Sequence, residues 1–316
     1  MKNTPDLNTI IQSARRIEPH IHRTPVLKSE NLNDIVGAYV VFKCENFQKA
    51  GAFKSRGAIN AVFSLTEDEI KNGVCTHSSG NHAAALARAA KLRGAKAYIV
   101  MPENSSRVKI AAVENYGGII TFCKPNLKSR ETTLEKIKNS TEATEIHPYN
   151  DYRIIAGQAT AALELIEDTK DLDIIIAPVG GGGLMSGTAL STFYFSPNTT
   201  IFAAEPKGAD DAYRSFVKKE FIPSENPQTM ADGLLTSLGS LTYPIIMKYV
   251  NDILTVSEES IVKAMKLIWE RMKIIVEPSS AVPFAAVLEN KTKFQGKRVG
   301  IIVSGGNVDL SKLPWD

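Results

Sequence analysis

Phe47-Gln48-Lys49-Ala50-Gly51-Ala52-Phe53-Lys54-Ser55-Arg56-Gly57 is the stretch on which the fold turns. It follows an apolar run at 38–44 that reads as a buried strand. Ala58, Ala61, Val62 and Leu65 then recur at helical spacing, so a helix opens near Lys54 or Ser55. A lysine at such an opening sits where backbone N–H groups point outward. With an aromatic ring beside it and a glycine on either side, it suits an amine that attacks a carbonyl or binds an anion. Taken by itself the segment favours a solvated lysine at a helix start, because most lysines are surface residues. The rest of the chain reverses that balance.

The chain has 316 residues, 43% hydrophobic and 22% charged, the composition of an ordinary globular protein of one large or two medium α/β units. A net charge of +3 leaves no electrostatic footprint for nucleic acid. No apolar run approaches the ~18 residues that cross a bilayer, and the polar first residues lack a signal-peptide core. Cys44, Cys75 and Cys123 are odd in number, far apart and set in strand-like runs. They read as small buried hydrophobes, which fits a reducing cytoplasm. The five histidines offer no zinc spacing.

Outward from Lys54, strand and helix patterns alternate. Strands are expected at 74–78, 95–101, 118–123 and 144–147, with helices between them. A second series runs through a helix at 152–166, a strand at 172–179, a four-glycine loop and another helix, then a strand at 200–205. A turn-rich region follows at 208–241. Ser257 caps a long amphipathic helix, and a strand at 298–303 closes the series. Alternation of this kind implies parallel sheets covered by helices. The expected class is α/β, with two doubly wound units and a cleft between them.

Every candidate site falls where a strand ends, the place at which open α/β sheets bind ligands. Gly180-Gly181-Gly182-Gly183 follows a strand and precedes a helix, so its N–H groups and the helix N-terminus suit a phosphate. A dinucleotide site is the rival, because Glu205 ends the next strand where a ribose-binding acid would lie. It fails on spacing, since Met185 stands where the third glycine belongs. A P-loop lacks its Gly-Lys-Ser/Thr ending. Ser78-Ser79-Gly80-Asn81-His82 opens its own helix and offers hydroxyls, an amide and N–H groups to a carboxylate or phenolic oxygen, although N-capping serines explain it as well. Ser304-Gly305-Gly306-Asn307 places a hydroxyl at a strand end. Glu205-Pro206-Lys207-Gly208-Ala209-Asp210-Asp211 gathers oxygens for a hard cation, with a solvated acidic turn as the plainer account.

Phe53-Lys54-Ser55-Arg56-Gly57, Ser78-Ser79-Gly80-Asn81-His82, the glycine tetrad and Ser304-Gly305-Gly306-Asn307 stand in the order seen in one family. The chain resembles the pyridoxal-phosphate enzymes of the tryptophan-synthase-β fold type (fold type II), and within them the serine/threonine dehydratase and serine racemase group. Glu205-Pro206, Ala209-Asp210-Asp211 and Trp269-Glu270-Arg271-Met272-Lys273 look like the racemase branch. The resemblance implies that Lys54 holds the cofactor covalently and moves the substrate α-proton on one face. It implies that Phe53 packs on the cofactor ring, Asn81 meets its hydroxyl, Ser304 faces the pyridine nitrogen, and Gly180, Gly181, Gly182 and Gly183 bind the phosphate. Ser78, Asn81, His82 and Arg130 would hold the substrate carboxylate. Ser79 would serve as the second acid/base, a serine that hydroxyaspartate dehydratases of this branch share.

Glu205, the Ala209 carbonyl and Asp211 would bind Mg²⁺, or Ca²⁺ or Mn²⁺. ATP activates some of these enzymes. Ala50 and Ala83 depart from the racemase pattern, which has threonine and glycine there. The expected activity is elimination of water and ammonia from L-serine or L-threonine with added serine racemisation, and β-hydroxyaspartate is the alternative substrate. A non-catalytic effector-binding protein on the same fold is the alternative of another class. Residues 1–66 and 152–316 would form the large cofactor-binding domain and 67–151 a small mobile one, in a cytoplasmic homodimer.

Overall fold

The computed structural model describes residues 4–315. Ten strands form two sheets. The larger contains β1 (Val26–Lys28), β2 (Tyr39–Cys44), β7 (Ile174–Pro178), β8 (Thr200–Pro206), β9 (Asp252–Val256) and β10 (Arg298–Val303), in the order β1-β2-β10-β7-β8-β9. All its pairings are parallel except β1 with β2. The smaller contains β3 (Val74–His77), β4 (Ala97–Pro102), β5 (Ile119–Cys123) and β6 (Thr144–Glu145), in the order β5-β4-β3-β6 and parallel throughout.

The expected α/β alternation is therefore present in both halves. The chain enters the large sheet, crosses to the small one after the helix Lys54–Ser64, and returns through the helix Tyr152–Asp168. β2, β7 and β10 are apolar and buried along nearly their whole length, as strands covered on both faces must be. The turn-rich region after β8 contains the helix Asp211–Lys218, whose short amphipathic pattern had read as turns. Other elements escaped the periodicity reading, among them the short β1, β9, the helices Glu30–Val36 and Thr242–Tyr249, and the helix Pro278–Glu289. That helix is buried on nearly every side, so it has no polar face to mark its period, and Pro283 lies inside it.

Helices Lys54–Ser64 and Tyr152–Asp168 cross backbone to backbone. A Cβ on Gly157 would lie 2.6 Å from Gly57 Cα and 2.7 Å from the Arg56 carbonyl oxygen. Only glycine lets these two backbones approach so closely, and the contact ties the Lys54 helix to the large sheet. Gly157→Ala is expected to destabilise the protein by about 1–3 kcal/mol, read as a lower urea midpoint. An unchanged midpoint would contradict the close approach.

Candidate active site

A cavity of about 170 Å³ lies at the carboxyl ends of β2, β3, β6, β7 and β10. A larger one, about 420 Å³, opens at the opposite ends of the large-sheet strands beside Tyr39 and Arg298, and no cluster of catalytic groups lines it.

Four helices begin at the first cavity, with Lys54, Asn81, Gly183 and Pro278 as their first residues, and residues of all four first turns line it. None of the four has a side-chain N-cap. Of the ten helices that start elsewhere among the described residues, seven carry one, for example Asp6, Thr66 and Asn126. Four positive dipole ends thus face one space, although in the Lys54 helix the Ser55 and Arg56 N–H groups already donate to the Ala52 and Phe53 carbonyls and the Gly57 N–H to Gln158. That is an anion site by construction.

Lys54 is the first residue of its helix, reached through Ala52, which bridges to Gly305 at the end of β10. Its Nζ donates to the Pro148 carbonyl at 2.8 Å and stands 5.1 Å from the Phe53 ring centroid. Burial pushes its ammonium down to about 8, and the Glu277 carboxylate only partly opposes this. An amine so placed is available as a nucleophile near neutral pH. The histidines around it are neutral. His147 is pushed down to about 4 by burial and by His77. His82 is held well below its usual range by burial and by Lys54.

Phe53, Ser78, Ser79, Asn81, His82, Arg130, Ser304 and the glycine tetrad all line the cavity with Lys54. Glu205, Ala209 and Asp211 lie apart from it, at the end of β8 and in the turn beyond. The Asn81 amide donates to Glu277 at 2.9 Å and accepts from Asn307 at 2.9 Å. The His82 ring is tied to the Ile146 carbonyl at 3.1 Å, so its backbone N–H is the group left for a ligand. Among the described residues Arg130 has no ion-pair partner, and its buried Nε has no hydrogen-bond partner. The Ser304 hydroxyl is 2.9 Å from that of Ser280.

The glycine tetrad owes its composition partly to protein contacts. A Cβ on Gly181 would lie 2.4 Å from the Tyr149 ring, and one on Gly180 would lie 2.8 Å from Leu234 Cα. Gly182 has φ +86°, a conformation that favours glycine.

Sequence reasoning missed Glu277, Tyr149, Lys109 and Asp232, all of which line the cavity. Glu277 is pushed up to about 7 by burial and by Asp232, against the pull of Lys109. The only local signal for it was Glu277-Pro278-Ser279-Ser280, a turn and helix-start pattern in an otherwise apolar stretch. Lys109 and Asp232 form an ion pair across the cavity mouth and are 123 positions apart, which no local pattern reveals.

Residues 17–305 match the family model described as pyridoxal-phosphate dependent enzyme. The chain is 51% identical to a β-hydroxyaspartate dehydratase of Paracoccus denitrificans, covering 99% of each. It is 51% identical to a serine racemase of Dictyostelium discoideum, covering 98% of this chain and 97% of the relative. The solved structure of maize serine racemase superposes with a TM-score of 0.96 at 46% identity, covering 98% and 95% of the two chains. The chain belongs to the pyridoxal-phosphate dependent enzymes.

The cavity fits that cofactor. Uncapped helix starts would suit its phosphate, an amine with a lowered pKa would suit its aldehyde, and Phe53 would offer an apolar face. At about 170 Å³ the cavity is smaller than the roughly 300 Å³ at which pockets begin to bury a drug-sized ligand. Competitive acetylation of the cofactor-free protein, read by peptide mass spectrometry, should place the Lys54 midpoint at about 8. A midpoint at the ordinary 10.5 would contradict its desolvation.

Proposed function

We propose that the chain is a β-hydroxy amino acid ammonia-lyase that eliminates water and ammonia from L-serine or L-threonine and also racemises serine. The observation that carries this reading is the meeting of Lys54, Ser79 and four uncapped helix starts in one cavity. Bound pyridoxal phosphate supplies an electron sink that acidifies the substrate α-hydrogen.

Lys54 would hold the cofactor and then take or return the α-proton at Nζ. Its pKa, lowered to about 8, leaves an appreciable fraction of the amine in the form that accepts a proton. Ser79 Oγ would exchange the proton on the other face, which racemisation requires. Gly180, Gly181, Gly182 and Gly183 would hold the phosphate through backbone N–H groups, with Phe53 against the ring and Asn81 on its hydroxyl. Ser304 would present a neutral hydroxyl to the pyridine nitrogen, which favours rapid elimination over a long-lived carbanion. Ser78, Asn81, the His82 backbone and Arg130 would orient the substrate carboxylate. Closure of the small unit, residues 67–151, would exclude water from these groups.

A second reading, dehydration of β-hydroxyaspartate, rests on Arg130. A guanidinium without a carboxylate partner on the cavity wall suits a second substrate carboxylate.

The metal assignment fits the donor set at the end of β8. The Glu205 carboxylate accepts from the backbone N–H groups of Ala212 at 3.1 Å and Tyr213 at 2.9 Å, and burial holds it well above the usual carboxylate range. Both Asp211 carboxylate oxygens are buried without a well-formed hydrogen bond, and burial pushes this acid up to about 6 against the weaker pull of the Ser224 hydroxyl. Two buried carboxylates side by side are relieved by a divalent cation, with the Ala209 carbonyl and waters completing an oxygen shell. The three cysteines are buried free thiols, consistent with a cytoplasmic protein, and a homodimer is the proposed assembly.

The test follows D-serine and pyruvate together from L-serine, with and without Mg²⁺, alongside L-threonine and β-hydroxyaspartate. Turnover of none of the three would overturn the reading. Lys54→Ala should lose at least about 10²–10⁴-fold in both products. Ser79→Ala should lose D-serine by about 10²-fold or more while still forming pyruvate, and D-serine formation that survived unaltered would remove Ser79 as second base. Mg²⁺ should raise the melting temperature, and more so as pH rises through about 6, because Asp211 must shed its proton to become a ligand. Asp211→Asn should abolish that rise, whereas a Mg²⁺ response identical in the variant would refute the site.

A further inference from the structure

Arg56, two positions past Lys54, is the largest side chain that the fold buries completely. Successive helical positions differ by about 100°, so residues two apart face nearly opposite ways. Lys54 therefore meets the cavity while Arg56 enters the protein. There its guanidinium forks onto two carboxylates. Nε and Nη2 each donate to Glu45 at 2.7 Å, and Nη1 and Nη2 donate to Glu164 at 2.7 and 2.8 Å. The Thr160 hydroxyl accepts from Nη1 at 3.2 Å. Lys43, also fully buried, pairs with Glu164 at 2.6 Å and donates to the Thr24 carbonyl at 2.7 Å. Arg56 and Lys43 with Glu45 and Glu164 thus join three elements, the end of β2, the Lys54 helix and the helix Tyr152–Asp168, and Lys43 extends the cluster to Asp168 at 3.8 Å, which pairs in turn with Arg23.

Such a cluster is a poor source of stability, because apolar side chains of the same volume usually serve as well. What it supplies is geometry. The planar fork accepts two carboxylates only in fixed directions, which an ammonium cannot reproduce. Lys54 needs that geometry, since its helix has no side-chain cap and follows Ala50 and Gly51, both left-handed at φ 56° and 70°. Ala50 in that region is strained and persists only where its surroundings enforce it.

We propose that Arg56, clamped by Glu45 and Glu164, is the positioning residue for Lys54. It sets the rotation and depth of the first helical turn, and hence where the amine lies in the cavity. The inference rests on the reading of Lys54 as the reacting amine.

The test uses full-length Arg56→Lys and Glu164→Gln, with folding checked by circular dichroism and melting. In cofactor-free protein, the Lys54 acetylation midpoint should move from about 8 toward 10.5 as the loosened turn admits water. In the loaded enzyme with L-serine, kcat should fall about tenfold or more while KM changes little. Thr160→Val removes one contact, should fold even if the other two variants do not, and should shift both readouts the same way by less. A folded Arg56→Lys with an unchanged midpoint and kcat overturns the proposal, as does an unaltered Thr160→Val where neither charge variant folds. Lys54→Ala separates the two failures. If it still turns over, the reading of Lys54 falls. If it is dead while folded Arg56→Lys behaves as wild type, only the positioning role falls.

Discussion

Four helices begin at one cavity and leave their first N–H groups without side-chain caps. Each such end carries roughly half a positive charge, so the cavity is an electropositive space that an anion completes. Much else follows from this constraint. The glycine loop must lie flat against its neighbours, and Lys54, on the cavity wall, is desolvated by burial toward its neutral form. The acids nearby are kept from cancelling the field, since Glu277 is pushed up to about 7 and Asp232 is paired with Lys109. Binding an anionic cofactor while lowering the pKa of an amine is thus one arrangement of charge.

Those features were legible in the sequence wherever a turn carried a local mark. Lys54 stands at a strand-to-helix junction with a glycine on either side, and Ser78-Ser79-Gly80-Asn81 and Ser304-Gly305-Gly306 repeat that grammar. Periodicity located most strands of both sheets to within about two residues. It failed where burial is complete, because the helix Pro278–Glu289 presents no polar face, and with it went Glu277. It failed also where partners are distant, as with Lys109 and Asp232. The glycine tetrad shows a third limit. Its composition pointed to a phosphate, yet Tyr149 and Leu234 press on the same glycines and need them small whether or not a ligand is present.

The buried charges divide into two kinds. Around Arg56 and Lys43 each cation meets a carboxylate of the protein itself. At the end of β8, Glu205 and Asp211 stand together and burial raises both, with the Arg214 guanidinium, paired with Asp210, only partly offsetting this for Asp211. A poorly compensated pair costs stability that a divalent ion restores, whereas a paired cluster holds its shape alone. The first kind suits a fixed support under a reacting group, the second a site whose occupancy the medium controls.

The most direct measurement is chemical. Purified protein saturated with pyridoxal phosphate, reduced with borohydride and digested, should carry the cofactor mass on the peptide containing Lys54 and on no other. Label on a different lysine, or none at all, would contradict the placement of the reacting amine on which this account depends.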